Sequence, residues 1–197
     1  MHFSFGAFNE EGLRGFPSGP WRNRDAALIV GKTKVNRMTD FSIRPAKAGD
    51  EETIVALLRA LADYEKLLHR FHITPEVVRR DYLCDRPLLF CDLLFEGDVP
   101  AGIATWYWTY GSFAAARKIY LADLFVSPEF RGRRYGQALI GNLARRVIAH
   151  EGVGIDWEVL DWNTPSIDFY DSLGATSIRN WIAYNLAGDA LAKAARA

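Results

Sequence analysis

A single α/β domain built around a mixed sheet is the fold class this sequence predicts, and three observations carry it. Strand-like runs come first in a meander and then alternate with amphipathic helical runs from about residue 120 onward. No internal repeat or low-complexity linker interrupts the chain. A length of 197 residues, 49% of them hydrophobic, fits one domain with a full core.

In chain order, residues 1–37 are rich in Gly, Asn, Arg and Phe and follow neither a helical nor an alternating period. They read as an N-terminal extension, disordered or not native, ahead of a folded domain over 38–197. A functional extension is the alternative. Phe41-Ser42-Ile43-Arg44 alternates like a half-buried strand that Pro45 stops. Asp50 is the expected N-cap of a helix whose inner stripe is Ile54, Leu57, Leu58 and Leu61. Thr74-Pro75 opens a second helix with Val77, Val78 and Tyr82 inward.

Residues 88–95 read as a strand closed by the turn 96–100, and 102–110 and 120–126 as the next two. A helix is expected over 136–150, with Leu139, Leu143 and Val147 on one side. It is followed by a strand at 155–160, a short helix at 166–173 and a final strand at 181–186.

Composition narrows the function classes. The formal net charge is zero, which argues against nucleic acid as a main partner, since polyanion binding normally needs excess Lys and Arg. Cys84 and Cys91 lack metal or CxxC spacing, so reduced thiols in a cytoplasmic protein are expected and no metal site. No apolar run approaches the ~18 residues that span a bilayer, and no secretory signal pattern opens the chain.

The chemistry concentrates in Ala122-Asp123-Leu124-Phe125-Val126-Ser127-Pro128-Glu129-Phe130-Arg131-Gly132-Arg133-Arg134-Tyr135-Gly136-Gln137. A strand, a turn and a Gly/Arg loop lead into a helix, whose N-terminus offers unpaired N–H groups and a positive dipole end to phosphates. The glycines follow neither the dinucleotide G-x-G-x-x-G spacing nor the P-loop pattern.

The remaining pattern, V-x-P-x-x-R-G-x-x-x-G-x-x-L, resembles the acyl-CoA pyrophosphate loop of the GNAT superfamily of N-acetyltransferases. Asn163-Thr164-Pro165-Ser166-Ile167-Asp168-Phe169-Tyr170 looks like that fold's next helix. Leu61-Ala62-Asp63-Tyr64-Glu65, Trp108-Thr109-Tyr110 and 120–126 are similar to its diamine branch, the spermidine/spermine and thialysine acetyltransferases, over roughly residues 41–186.

The resemblance implies a mixed, mostly antiparallel sheet with central parallel strands splayed apart, acetyl-CoA as cosubstrate, a small primary amine as acceptor and a homodimer. It places Leu124, Phe125 and Val126 along the pantetheine and Arg131, Gly132, Arg133, Arg134, Tyr135, Gly136 and Gln137 around the pyrophosphate. Asn163 and Ser166 complete the cofactor side. The plain alternative for the strand residues is core packing.

Tyr170 is implied as the acid that protonates the departing thiolate, against the alternative of a core tyrosine. Tyr64, Glu65, Asp123 and Trp108 are the implied acceptor contacts; strand alternation makes about half of the aromatic cluster around Trp108 simply core. Two positions depart from the family. Ala122 stands where the diamine branch carries Glu, so the ammonium's proton must go elsewhere, with Glu65 first among Glu65, Asp123, Glu158 and Asp161. Arg134 replaces a Gly, from which an ordinary backbone conformation at 134 is expected. These departures keep open a catalytically degenerate acyl-CoA-binding domain, and an aminoglycoside or protein amine as acceptor.

Overall fold

The computed structural model describes residues 40–179 and 181–197, and the chain divides after Glu158 into two compact units. The expectations for residues 1–37 and for a start at Met38 lie outside the described residues.

The first unit holds β1 (Phe41–Pro45), α1 (Glu51–Tyr64), α2 (Pro75–Asp81), β2 (Phe90–Glu96), β3 (Val99–Gly111), β4 (Ala116–Val126), α3 (Tyr135–Ala149) and β5 (Gly154–Asp156). The strands form one sheet in the order β1-β2-β3-β4-β5, antiparallel except for the parallel pair β4–β5. The mixed, mostly antiparallel α/β architecture read from the sequence is thus present.

Two apolar layers cover the two faces. Ile54, Leu57, Leu58 and Leu61 of α1, with Val78 of α2, pack on Cys91, Leu93, Ile103 and Phe125. Tyr135, Leu139, Leu143 and Val147, four residues apart along α3, pack on Leu94, Ala104, Trp106, Ile119 and Leu121. Each buried Leu or Ile of these stripes contributes about 1.5–3 kcal/mol of transfer free energy.

Local signals act as read, with one exchange. Thr74 caps α2, its Oγ1 accepting from the Val77 N–H, and Pro75 occupies the first turn. Asp50 sits at the N-cap of α1, yet its carboxylate accepts two bonds from Arg44 at 2.7 and 2.8 Å and one from the Lys47 N–H at 2.8 Å. It ties β1 to the helix entry, and no side chain caps the helix.

The second unit contains α4 (Thr164–Ser172) and α5 (Gly188–Ala194). The strand expected over 155–160 ends at Asp156. The final strand expected over 181–186 does not form: these residues are irregular, with Ile182 77% and Tyr184 91% exposed. Alternating apolar residues make a strand only where a neighbouring strand takes their backbone groups, and among the described residues none pairs there.

Candidate active site

A β-bulge in β4 organises the site. Thr105 pairs with Asp123 and Trp106 with Leu121, which leaves Ala122 as the extra residue. Side chains alternate along a strand, so one inserted residue reverses which face the next residues meet. Ile119 and Leu121 therefore face α3, whereas Asp123 and Phe125 face α1 and α2. Without the bulge, Asp123 would point into the α3 layer. Ala122 itself is exposed.

Asp123 accepts a short hydrogen bond from Thr105 Oγ1. Burial raises its carboxyl above the usual range, and the Thr105 bond offsets part of that rise. Glu65 follows the last turn of α1 and is half-buried. Its carboxyl is also raised, first by burial and then by the charge of Asp123. Tyr82, after α2, is pushed up to about 12 by burial, with Asp123 adding to the effect.

Two carboxylates in mutual electrostatic reach, each poorly solvated, form a place that a cation would stabilise. An arriving ammonium would draw both pKa values down and find an acceptor for its proton. Thr105 and Tyr82 were missed in the sequence; a threonine inside the apolar run Gly102-Ile103-Ala104-Thr105-Trp106 was the available signal.

The bulge lies where two parallel strands part. β4 and β5 pair at Lys118↔Gly154, Ile119↔Ile155 and Tyr120↔Asp156, and pairing stops there. Beyond Tyr120, the β4 edge through Leu124, Phe125 and Val126 has no β5 partner among the described residues. Such an edge can hydrogen-bond an extended ligand as a further strand would.

At the end of β4 the chain turns through Ser127, Pro128, Glu129 and Phe130 into the loop before α3. Gly132 has φ +76° and Arg134 φ +63°, either side of Arg133, the alternation that makes an anion-binding nest of backbone N–H groups. No side chain caps α3. Tyr135, Gly136 and Gln137 form its first turn, where the helix dipole favours negative charge.

Arg134 is a correction: the ordinary conformation expected from a non-glycine residue is not adopted, because the entry into α3 demands the left-handed region. A side chain there costs about 1 kcal/mol or more. Arg134→Gly is therefore expected to raise Tm by about 2–4 °C in a thermal melt.

The loop arginines are engaged rather than simply projecting. Arg133 donates to both oxygens of Glu96 at 2.6 Å and to the Glu129 carbonyl at 3.2 Å, while the Tyr135 hydroxyl also bonds Glu96. Glu96, at the end of β2, thereby pins the loop across 37 residues of sequence, a separation that hides it from sequence reading. Arg131 Nε donates to the Val126 carbonyl at 3.1 Å, and its guanidinium lies 5.0 Å from the centre of the Tyr64 ring. The loop, the β4 edge and the end of α1 are joined through that one side chain.

Trp108 is not brought to the carboxylates. It packs on the α3 side, edge-on to Trp106 at 5.6 Å and to His150 at 5.2 Å. Tyr107 and Tyr120, with rings 5.2 Å apart, share the Asp123 face instead. In the second unit, Asn163 caps α4, its Oδ1 accepting from the Ser166 N–H at 3.4 Å. Tyr170 is half-buried on that helix beside Phe169, ring centres 5.3 Å apart.

Residues 48–175 match the acetyltransferase (GNAT) family. The chain belongs to that family. It is 32% identical over 166 residues to thialysine N-epsilon-acetyltransferase of Sus scrofa, covering 78% of this chain and 96% of the relative. Spermidine/spermine N(1)-acetyltransferase-like protein 1 of Homo sapiens is 32% identical over 149 residues, which is 72% of this chain but 21% of that protein. Among solved structures, an integron cassette protein from the mobile metagenome of V. cholerae superposes with a TM-score of 0.68 at 24% identity, covering 80% and 98% of the two chains. The protein is thus a GNAT acetyltransferase, an enzyme of acetyl transfer to nitrogen. Among the described residues, no helix is long and apolar enough to cross a membrane, and no group of three or more His, Cys, Asp or Glu could hold a metal ion.

Proposed function

We propose that this enzyme transfers acetyl from acetyl-CoA directly to a primary amine of a small molecule, and that Glu65 and Asp123 receive the amine. The observation that carries the reading is the carboxylate pair at the β4 bulge, beside the strand edge that β5 leaves open. The names of the relatives, thialysine and spermidine/spermine acetyltransferases, support the same acceptor class.

Each residue then has a role. The N–H groups of the 132–137 loop and first helical turn hold the diphosphate, with Arg131, Arg133 and Arg134 adding positive charge. The β4 backbone at Leu124, Phe125 and Val126 pairs with the pantetheine arm and polarises the thioester carbonyl. The ammonium docks on Asp123 and Glu65, with Tyr64 beside them, and gives up one proton to that pair. The free amine attacks the carbonyl carbon; a C–N bond forms, the C–S bond breaks, Tyr170 gives its hydroxyl proton to the thiolate, and the nitrogen's surplus proton restores the Tyr170 phenol, leaving a neutral amide and CoA thiol. Asn163 and Ser166 shape the start of the helix that carries Tyr170, whose role is assigned from its motif.

Direct attack is favoured over an acyl-enzyme route because neither cysteine lies near the motif patches in sequence, and burial pushes the Cys91 thiol up, away from the reactive thiolate. The bulge turns Asp123 to the α1 and α2 face, in electrostatic reach of Glu65, which supports a carboxylate there taking the part of the Glu that Ala122 replaces. The resemblance also supports a homodimer, and the sparse, unpaired cysteines support a cytoplasmic location.

Release of CoA thiol from acetyl-CoA, measured with putrescine, spermidine, spermine, thialysine, lysine and an aminoglycoside, tests the proposal. Amine-dependent release is expected, best with a small amine or an amino-acid side-chain amine. Tight acetyl-CoA binding without release for any amine would leave an acyl-CoA-binding domain in its place.

A further inference from the structure

Five residues before Asp123, on the same face of the sheet, Lys118 enters an ion pair that the proposed chemistry does not use. Lys118 Nζ donates to Asp156 Oδ2 at 2.9 Å and Oδ1 at 3.1 Å, the two side chains 19% and 34% exposed. Ile119 and Ile155 pack on the α3 side, so alternation turns their neighbours Lys118, Tyr120 and Asp156 to the other face, where Asp123 stands. Between the pair and Asp123 lie the rings of Tyr107 and Tyr120, tilted at 33° to each other.

We infer that Lys118 and Asp156 read the far end of the acceptor, and that this end is the zwitterionic head of a basic amino acid. The inference rests on the acceptor site proposed above. Lys118 pairs with Thr109 and Asp123 with Thr105, so the two are four residues apart on β3, about 13 Å at the usual strand rise. That span suits an amine on an unbranched stem of about four carbons, as in lysine, with a hydrogen bond of ~2.8 Å at each end.

The charges match as well as the length. An α-carboxylate meets Lys118 and an α-ammonium meets Asp156, so the head replaces the intramolecular pair by two pairs of the same kind. The tyrosine faces carry the alkyl stem between. A polyamine offers a second ammonium instead, which finds Asp156 but is repelled by Lys118. The pair therefore discriminates through repulsion as well as attraction.

The test compares kcat/KM for lysine, lysine amide and cadaverine in the wild type, Lys118→Met and Lys118→Arg. Lysine amide keeps the α-ammonium and puts a neutral amide in place of the carboxylate; cadaverine keeps an ammonium at each end and has nothing in the carboxylate's place. The wild type is expected to favour lysine over lysine amide by at least tenfold. Lys118→Met should erase that preference and Lys118→Arg should keep it. A merely structural strand tie would lower Tm, with all acceptors falling together. Equal kcat/KM for lysine and lysine amide in the wild type overturns the inference, and needs no variant to fold. Turnover of amines without a carboxylate preference overturns this assignment alone; no turnover of any amine overturns the proposed function with it.

Discussion

Asp123→Asn lowers kcat/KM for the amine by about 10²–10⁴-fold and at the same time raises Tm at neutral pH. The first effect follows from its proposed role. A positioned base contributes about that factor, and the variant also removes one of the two charges that hold the ammonium. The second follows from burial. The folded carboxyl has a raised pKa, chiefly through desolvation, so the native state binds its proton more tightly than the unfolded chain does.

The sign is then fixed. Stability falls as pH rises from the ordinary aspartate range, about 3.9, through the raised folded value, and the cost is fully present above it. Asparagine removes that charge at nearly constant volume and still offers a carbonyl oxygen to Thr105 Oγ1. Melting curves against pH should show the wild type losing stability across the window and the variant losing less. Glu65 shifts in the same direction, so some slope remains in Asp123→Asn. Unchanged kcat/KM would take Asp123 out of the mechanism.

Tyr170→Phe lowers kcat by about 10²–10³-fold while changing the acetyl-CoA Kd little. A phenol that protonates the leaving thiolate acts in the transition state, so its loss appears in kcat rather than in ground-state binding. Phenylalanine keeps the ring that packs beside Phe169, so α4 loses only a hydroxyl. Steady-state kinetics with calorimetric titration of acetyl-CoA separates the two terms. A weaker Kd with unchanged kcat would make Tyr170 a binding residue instead.

Helices α1 to α4 were legible, α1 and α3 from their own stripes of Ile54, Leu57, Leu58 and Leu61 and of Leu139, Leu143 and Val147, all buried as read, whereas α5 buries no residue and was not expected. Their caps are equally local, as Thr74 shows. The sheet depends on partners far away in sequence, and there the reading failed in particular places. Alternating apolar residues at 181–186 have no strand to pair with among the described residues.

The bulge at Ala122 leaves no mark in the sequence, although it reverses the face of Asp123. Tyr64, Glu65 and Asp123 are candidates from family motifs, and the fold couples the charges of Glu65 and Asp123. Trp108 was chosen from the same cluster as Tyr107, but one step along a strand is the difference between the two faces. The conformation of Arg134 was misread because a residue's preference is weak against the demands of a helix entry.

The most direct test of the central claim is the mass of the acceptor and of the protein after incubation with acetyl-CoA and lysine. The account predicts lysine heavier by one acetyl group, CoA released in equal amount, and the protein unmodified. An acetylated protein that hands its acetyl on, or bound acetyl-CoA with neither lysine nor any other amine of the panel acetylated, would contradict direct transfer at the Glu65–Asp123 site.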